Sequence, residues 1–374
     1  MSARLSLAAQ RIFVRASSAT YAVLVGRGIL ARAGQQVARL GVNTGVFVLT
    51  SPRVWKHWGQ PLAASLRRSA TRKVILFDDR ESSKNMATVE RLCRELARAG
   101  ADRRAVIVAL GGGVVGDVAG FVAASFLRGV SLVHVPTTLV AQADSAIGGK
   151  TGVNLAEGKN LVGAFYQPRL VLADPDTLAT LPLRQYRSGL YEVIKYGVIG
   201  DPKLFRFLEQ EMDRLLRRDR AALAWVLPRC IRAKADVVSR DERESGLREI
   251  LNFGHTVGHA LEAVTGYARF LHGEAVGWGM MTATLISMAT DLLPADSAAR
   301  ILRLVSRVGR LPPLPAVAPA RLLRVMRADK KARGGRLRFV LPHSIGRVQV
   351  VAGVPEALVA KAVAVLPDLM RRGR

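Results

Sequence analysis

Acidic residues are absent from the first 77 positions of this 374-residue chain, and the first carboxylate is Asp78. The whole chain has 56 lysines and arginines against 29 acidic residues, a formal net charge of +27. Such a balance occurs in proteins that bind nucleic acids or anionic membranes. The basic residues are scattered singly or in pairs, however, without interleaved aromatic residues, which favours a solvated, arginine-rich surface. Small anionic substrates fit the sign of the charge but do not explain its size.

Cysteines and long apolar runs are also scarce. The two cysteines, Cys93 and Cys230, lie far apart in no ligand-like spacing, which excludes a disulfide framework and indicates a reducing compartment. No stretch reaches about 18 uninterrupted apolar residues, and the N-terminus has no clean cleavage site. We therefore expect a cytoplasmic protein without a membrane span or a secretory signal.

At 374 residues the chain is too long for one ordinary core, which predicts two domains, each of roughly 150 to 200 residues. In the first part, short runs that are apolar throughout alternate with amphipathic segments such as Thr88 to Ala99. This alternation is typical of strands buried on both faces of a mostly parallel sheet. We predict a Rossmann-like, doubly wound α/β domain over residues 1–182, with strands at Val46 to Leu49, Val74 to Phe77, Ala105 to Leu110, Ser131 to Val135 and Leu170 to Ala173.

Beyond Pro182 the apolar residues recur with helical periods. We predict a mainly α-helical domain over residues 183–374, without internal repeats or a low-complexity linker. Its predicted elements are helices at Tyr186 to Ile199, Ala221 to Val238 and Glu274 to Met288, and a strand pair at Leu337 to Leu341 and Arg347 to Val351.

A glycine-rich turn, L-G-G-G-V-V-G-D-V-A-G at 110–120, follows a predicted strand and opens a predicted helix. Glycines there allow the backbone to approach a pyrophosphate, and the helix N-terminus stabilises its charge. The order differs from the standard dinucleotide fingerprint, so a purely structural turn is the alternative. The later motifs V-P-T-T at 135–138, D-S-A-I-G-G-K-T at 144–151 and G-K-N at 158–160 add hydroxyl, acidic and basic groups. Together they predict a nucleotide site beside a phosphorylated substrate.

Three of the six histidines lie between Arg248 and Glu274. His255 and His259 are four residues apart in a helical pattern, and His272 follows in L-H-G-E, an arrangement that suits a divalent metal. Buried structural histidines are the alternative. A carboxylate ligand is available from Glu192, which shares a helical face with Lys195 among apolar neighbours, unless these two form an ordinary surface ion pair.

These motifs, with E-V-I-K-Y-G, G-K-N-L-V-G-A-F-Y-Q-P, L-N-F-G-H-T-V-G-H-A-L-E, L-H-G-E-A-V and D-K-K, resemble in order those of the dehydroquinate synthase family. The resemblance implies an N-terminal NAD-binding domain, a helical C-terminal domain and a site in the cleft between them. It implies NAD and one divalent metal, zinc or cobalt, as cofactors of a lyase of the shikimate pathway. That lyase converts 3-deoxy-D-arabino-heptulosonate 7-phosphate to 3-dehydroquinate and phosphate by transient oxidation, elimination, reduction and aldol closure.

The resemblance also implies site residues. The metal ligands are Glu192, His255 and His272, whereas His259 belongs to the substrate site. The other implied substrate and catalytic residues are Lys150, Asn160, Lys195, Lys234, Arg248, Asn252, Lys330, Lys331 and Arg128, the last reaching the neighbouring site of a homodimer. The implied NAD-binding residues are Glu81, Lys84, Gly112, Gly113, Asp117, Thr137, Thr138, Asp144, Lys150, Lys159, Thr180, Leu181 and Gln185.

Some features depart from that pattern. Ser51 and Pro52 stand where the family has an Asp or Asn for the adenosine ribose, and D-D-R-E-S-S-K around Glu81 lacks the usual proline and glycine. We also expect one continuous helix from Arg248 through His255, with Arg248 two turns below that ligand. The alternatives are a related sugar-phosphate cyclase, such as a 2-deoxy-scyllo-inosose synthase, and a nucleic-acid-binding protein on a vestigial enzyme fold. The intact metal set argues against the second.

Overall fold

A computed structural model describes residues 9–41, 44–66, 71–315, 319–330 and 337–372. The chain divides into two compact units, the first formed by Met1–Pro182 with Arg220–Arg243 and the second by Leu183–Asp219 with Glu244–Arg374. The sequence-based boundaries place residues 220–243 in the second domain, whereas in the structure this segment packs within the first unit.

The secondary structure alternates strands and helices up to residue 173 and is mainly helical afterwards. The strands are β1 Gln10–Arg15, β2 Thr20–Val25, β3 Val46–Thr50, β4 Thr71–Leu76, β5 Val106–Gly111, β6 Ser131–Pro136, β7 Lys150–Leu155, β8 Gly158–Phe165, β9 Leu170–Ala173, β10 Arg338–Ser344 and β11 Arg347–Ala352. The helices are α1 Ala33–Ala38, α2 Pro52–Leu66, α3 Met86–Arg98, α4 Gly113–Ser125, α5 Leu183–Ile199, α6 Pro202–Leu216, α7 Arg220–Arg240, α8 His255–Val264, α9 His272–Ala289, α10 Ala295–Arg307, α11 Pro319–Lys330 and α12 Glu356–Arg372.

The first unit is built on a seven-stranded sheet with the order β1-β2-β9-β6-β5-β3-β4, parallel except for the β1–β2 pair. Strand β3 shows why the strand sequences of this sheet are apolar throughout, without alternating polar residues. Phe47 and Leu49 pack in one core with α3 and α4, whereas Val46 and Val48 pack in a second core with α1 and α2. The predicted doubly wound fold is confirmed, and all five predicted strands are present.

Two strand pairs escape the sequence analysis. The antiparallel pair β1–β2 forms the edge of the large sheet, and its alternating exposed residues give a weaker signal than the buried runs. The hairpin β7–β8 contains Lys150, from the end of D-S-A-I-G-G-K-T, and the whole of G-K-N at 158–160. Glycines inside it explain why the strand signal is weak: a Cβ on Gly163 would lie 2.1 Å from the Thr151 carbonyl oxygen.

Helix α7 joins the first unit because it packs against β1. At its end, the buried Glu242 carboxylate accepts hydrogen bonds from the turn between β1 and β2. The donors include the Ser18 backbone N–H at 2.9 Å and the hydroxyls of Ser17 and Ser18. Gln167 Nε2 donates to the same carboxylate at 2.8 Å. Although burial opposes the shift, these donors lower the pKa of Glu242 to about 2.

The second unit is organised around α9, which is buried on almost every side over 273–287. Helices α5, α8, α10 and α12 and strand β10 pack on it. The predicted helices and the β10–β11 pair are present. The expected continuous helix from Arg248 is wrong: residues 247–252 form a 3-10 segment, and Gly254, at φ 82°, turns the chain before α8 begins. Among the described residues, no helix is long and apolar enough to cross a membrane.

The Glu242 cluster predicts a pH-dependent contribution to stability. Because its pKa is lower in the folded than in the unfolded chain, Glu242 stabilises the fold fully above about pH 4.5, and this contribution is lost as the pH falls towards 2. We expect Glu242→Gln to lower the free energy of unfolding by about 1.5–3 kcal/mol at neutral pH. Denaturant unfolding measured from pH 7 downwards should show the gap to the parent protein narrowing with acidity.

The matched control is Glu157→Gln, which removes an exposed carboxylate from the turn between β7 and β8. It should change stability by only tenths of a kcal/mol. Equal stability losses for the two variants, or a Glu242→Gln gap that does not change with pH, would contradict the role given to Glu242.

Candidate functional site

The glycine turn of the first unit presents bare backbone at the start of α4. Gly112 is the N-cap residue, and no side chain caps the helix. A Cβ on Gly112 would lie 2.8 Å from Thr138 Cγ2, and one on Gly113 would lie 3.4 Å from Ser145 Oγ. The two glycines therefore form a cradle that larger residues would fill, and helix N-termini of this kind bind phosphate groups.

The cradle lies at the point where the strand order reverses. The chain runs from β3 outwards to β4 on one side, whereas β5 returns to the other side of β3 and is followed by β6. Dinucleotides bind at such switch points, beyond the carboxyl ends of the strands. Thr137 follows β6 there, with its N–H donating to the Gly111 carbonyl at 2.9 Å, and Thr138 comes next. The predicted residues Gly112, Gly113, Thr137 and Thr138 thus share one edge of the sheet.

A chain of charged groups continues from this edge. Lys84 is 4% exposed, and its Nζ lies 2.5 Å from Asp117 Oδ2 and donates to Asn160 Oδ1. The Lys159 Nζ lies 3.7 Å from Glu81 Oε1. The structure therefore brings together five residues that the sequence supplies from three separate motifs.

A second pairing joins α7 to the turn after β6. The buried Lys234 Nζ pairs with the Asp144 carboxylate and donates to the Asp144 carbonyl oxygen at 2.9 Å. Asp144 belongs to a single π-helical turn, Ala141–Ser145, an irregularity that is frequent at functional sites. Lys150 begins β7 with an exposed side chain. Thr180 accepts a hydrogen bond from Trp58 Nε1 at 2.8 Å, and Leu181 follows it.

In the second unit, Glu192, His255 and His272 offer one ligand atom each, and these atoms all lie within 4.8 Å of one another. Glu192 Oε1 is 3.4 Å from His272 Nε2 and 3.8 Å from His255 Nε2. Tetrahedral ligands bound at about 2.0–2.2 Å lie roughly 3.3–3.6 Å apart. The spacing and the two-nitrogen, one-oxygen set fit a divalent ion with open positions.

Both imidazoles are oriented through their Nδ1 atoms. His255 Nδ1 lies 3.2 Å from the Phe253 carbonyl oxygen, and His272 Nδ1 lies 3.1 Å from Glu262 Oε2. An Nδ1–H that donates to these oxygens leaves Nε2 facing Glu192 in each ring. Metal-binding histidines are commonly held by such hydrogen bonds.

The charges of this cluster compensate one another. Although burial opposes it, Lys195, whose Nζ lies 2.5 Å from Glu192 Oε2, and the histidines hold the pKa of Glu192 well below its usual range. Burial and the Lys195 charge hold the pKa of His255 well below its usual value. Burial opposes the shift at His272, where Glu262 and Glu192 raise the pKa to about 10.

Helix packing positions His272 and Glu192. His272 is the first residue of α9, where Glu274 accepts a hydrogen bond from the Leu271 N–H at 2.8 Å and fixes the helix start. A Cβ on Gly273 would lie 1.9 Å from the Ser188 carbonyl oxygen, so α9 and α5 are in backbone contact. Glu192, one helical turn after Ser188 on α5, is thereby held beside His272.

The remaining predicted residues have varied surroundings. His259 lies close to both ligand histidines, with ring centroids 5.3 Å from His255 and 5.9 Å from His272. Arg248 is 1% exposed in the 3-10 segment 247–252, and Asn252 Nδ2 donates to Glu244 Oε1 at 2.8 Å. Gln185 lies in the first turns of α5. Arg128 lies in an exposed turn at φ 66°. Lys330 is the last residue of α11, and Lys331 lies outside the residues that the structure describes.

Sequence reasoning misses three residues of these clusters. Glu262 orients His272, and its signal is its position seven residues after His255 on the same face of α8. Asn154 donates to Glu81 Oε1 at 2.8 Å and accepts from the Asn160 N–H, a contact that needs the unpredicted β7–β8 hairpin. Glu244 accepts a hydrogen bond from Asn252 because the chain bends at Glu244, where φ is 59°, and no local sequence motif predicts this bend.

The chain matches known proteins along most of its length. The profile described as 3-dehydroquinate synthase N-terminal matches residues 74–188, and that described as 3-dehydroquinate synthase C-terminal matches residues 189–332. The chain is 48% identical over 355 residues to 3-dehydroquinate synthase of Koribacter versatilis, covering 94% of this chain and 97% of that protein. Its identity to 3-dehydroquinate synthase of Pelotomaculum thermopropionicum is 47% over 367 residues, covering 97% and 99%.

Solved structures of sugar-phosphate cyclases share the fold. 2-Epi-5-epi-valiolone synthase of Streptomyces hygroscopicus, solved with NAD+ and Zn2+, superposes with a TM-score of 0.86 at 29% identity, over 95% of this chain and 98% of that one. A 2-deoxy-scyllo-inosose synthase in complex with carbaglucose-6-phosphate, NAD+ and Co2+ has the same TM-score of 0.86 at 28% identity, over 95% and 99%. The resemblance drawn from the motifs is confirmed, and the chain belongs to the 3-dehydroquinate synthase family.

Proposed function

We propose that this protein converts 3-deoxy-D-arabino-heptulosonate 7-phosphate to 3-dehydroquinate and phosphate, with NAD and one divalent metal, zinc or cobalt, as cofactors. The observation that carries the proposal is the convergence of Glu192, His255 and His272, with both imidazoles held by their Nδ1 atoms. The near full-length identity to 3-dehydroquinate synthases supports the substrate. The cofactors are those present in the solved cyclases.

Glu192, His255 and His272 would hold the metal, which when bound supplies Lewis acidity towards the hydroxyls of the substrate. Lys195 stabilises the buried Glu192 carboxylate and keeps a positive charge at the site. Glu262 fixes the ring of His272 and so presents its Nε2. His259 lies beside both ligand rings and, with Glu262 and His272, forms a second group that could hold a metal. We assign it instead to proton exchange with the substrate, as the family resemblance implies.

The glycine cradle and the surrounding polar groups of the first unit would hold NAD, which supplies a transient hydride acceptor when bound. Gly112 and Gly113 present backbone amides to the pyrophosphate. The proposed side-chain and backbone contacts are those of Glu81, Lys84, Asp117, Thr137, Thr138, Asp144, Lys150, Lys159, Thr180, Leu181 and Gln185. The ion pairs Lys84–Asp117 and Lys159–Glu81 support the assignment, because they hold four of these side chains in fixed positions and Asp117 belongs to the glycine-turn motif.

Cationic and amide groups would bind the carboxylate and phosphate of the substrate. We assign this role to Lys150, Asn160, Lys195, Lys234, Arg248, Asn252 and a lysine of the Lys330–Lys331 pair. Arg248 suits a carboxylate because a guanidinium binds it in bidentate fashion, and its burial keeps that interaction strong. Lys234 is already positioned by Asp144.

A homodimer in the cytoplasm completes the proposal, with Arg128 reaching the site of the neighbouring subunit. The turn that carries Arg128 is exposed, as are the large apolar side chains of Leu127 in the same turn and of Leu161 and Phe165 on β8. Exposed apolar residues of this kind often mark subunit contacts. Both cysteines are free thiols, as expected in a reducing compartment.

The activity is tested by incubating the purified chain with the heptulosonate phosphate, zinc and substoichiometric NAD. Because the cofactor is regenerated in each cycle, many turnovers per NAD are expected, with equal phosphate and dehydroquinate and no accumulated NADH. Mass spectrometry of the product separates this function from that of a related cyclase acting on another sugar phosphate. Stoichiometric NADH would instead indicate a simple dehydrogenase.

The metal assignment predicts different effects for neighbouring histidines. His272→Ala should lose bound zinc and activity together, because it removes a ligand, whereas His259→Ala should keep zinc and lose turnover. Zinc content by atomic spectroscopy and kcat are the measurements. Equal zinc loss in the two variants would refute the ligand set.

Arg248→Lys provides the matched control in the same unit. It should keep zinc but raise KM by roughly 10- to 100-fold, the effect of weakening a hydrogen bond to a charged group. An unchanged KM would remove Arg248 from the substrate site without affecting the metal assignment.

The role of Arg128 predicts complementation between inactive subunits. A mixture of Arg128→Ala and Lys195→Ala chains should regain about a quarter of the parental activity, because half of the dimers then contain one intact site. A mixture of Lys195→Ala and His272→Ala, both defective in their own site, should stay inactive. No recovery in the first mixture would contradict an Arg128 that serves the neighbour.

A further inference from the structure

The end of β3 has an unusual composition for a dinucleotide site. In doubly wound domains, an acidic residue at the end of the strand beside the glycine turn binds the adenosine ribose 2′-hydroxyl of NAD, whereas an arginine accommodates the 2′-phosphate of NADP. This chain has Ser51 at that place and Arg53 two residues later. The sequence therefore lacks the acidic residue that NAD-binding domains have at this place, and it has an arginine two residues further on.

The structure locates this position at the cofactor edge. Thr50, the last residue of β3, donates its hydroxyl to the Leu110 carbonyl oxygen at 2.7 Å, directly before the glycine turn. On the other side, the Phe77 N–H donates to the Thr50 carbonyl oxygen at 2.9 Å. Ser51 therefore lies between the glycine turn and the segment that follows β4.

That segment supplies a carboxylate. Asp79 Oδ2 accepts hydrogen bonds from Ser51 Oγ at 3.0 Å and from Arg53 Nη2 at 3.2 Å. Ser51 is buried, the Asp79 side chain is 19% exposed, and the Arg53 side chain is 61% exposed. The second oxygen, Oδ1, receives no hydrogen bond from the residues that the structure describes, so it can accept one from a ligand.

We propose that Asp79, delivered from the neighbouring strand, binds the adenosine ribose and selects NAD over NADP. Oδ1 accepts a hydrogen bond from the ribose 2′-hydroxyl. The negative charge of the Asp79 carboxylate neutralises Arg53 and repels a 2′-phosphate. Ser51 orients the Asp79 carboxylate through its hydroxyl. An acidic residue at position 51 would bind the ribose itself and would not need this orienting role. The inference rests on the proposed NAD site and adds the group that gives it specificity.

The test compares NAD+ and NADP+ affinities of the full chain by calorimetry. Asp79→Asn should weaken NAD+ binding by about tenfold and strengthen NADP+ binding, because Arg53 is released for the 2′-phosphate. Adding Arg53→Ala to Asp79→Asn should remove the gain in NADP+ affinity. Asp79→Glu keeps the charge and should preserve the preference for NAD+. Circular dichroism establishes that each variant is folded.

Asp78→Asn is the matched control. Asp78 is adjacent and also forms an ion pair, but its partner is Arg80. Its replacement should leave the ratio of the two affinities unchanged. An Asp79→Asn ratio within about twofold of the parental ratio would overturn the role of Asp79. A parental chain that binds neither dinucleotide would instead overturn the proposed NAD site itself, so the two failures are distinguishable.

Discussion

The metal cluster depends on how closely the backbone of α9 approaches two other segments. Gly273 contacts the backbone of α5, and a Cβ on Gly279 would lie 1.8 Å from the Gly254 carbonyl oxygen. A larger residue at either position would force the backbones apart, because its Cβ would lie well inside van der Waals contact with a carbonyl oxygen. Because Glu192, His255 and His272 come from three different helices, this contact sets their spacing more directly than any interaction among the three side chains.

Charge compensation follows from that packing. Glu192 and Lys195 are both 1% exposed, so neither charge is solvated by bulk water. Buried charges are tolerated when they are paired, and removing one partner destabilises the other. The same rule applies to Lys84 with Asp117 and to Lys234 with Asp144 in the first unit. The proposed substrate is an anion, and the lysines are held in place by carboxylates before it arrives.

Much of the fold and the identity of the site could be predicted from the sequence. Strands such as β3 are buried on both faces and give continuous apolar runs, and the motif order gives the family. Contacts that need distant segments could not be predicted: Asp79 reaches Ser51 only because β4 pairs with β3, and Glu244 reaches Asn252 through an irregular bend. The break at Gly254 escapes prediction because the helical pattern of apolar residues continues across it, while its positive φ is set by tertiary packing.

The placement of α7 has a consequence for how the protein can recombine with its relatives. The chain changes units at three points, near residues 182, 219 and 243, so the first unit is discontinuous along the sequence. A fragment that ends at Pro182 would omit α7, the Asp144 partner Lys234 and the Glu242 anchor of the β1–β2 turn. A chimera that takes its first unit from a relative therefore has to exchange two segments, residues 1–182 and 220–243, together. A single crossover near residue 182 would leave β1 from one protein packed against α7 from the other.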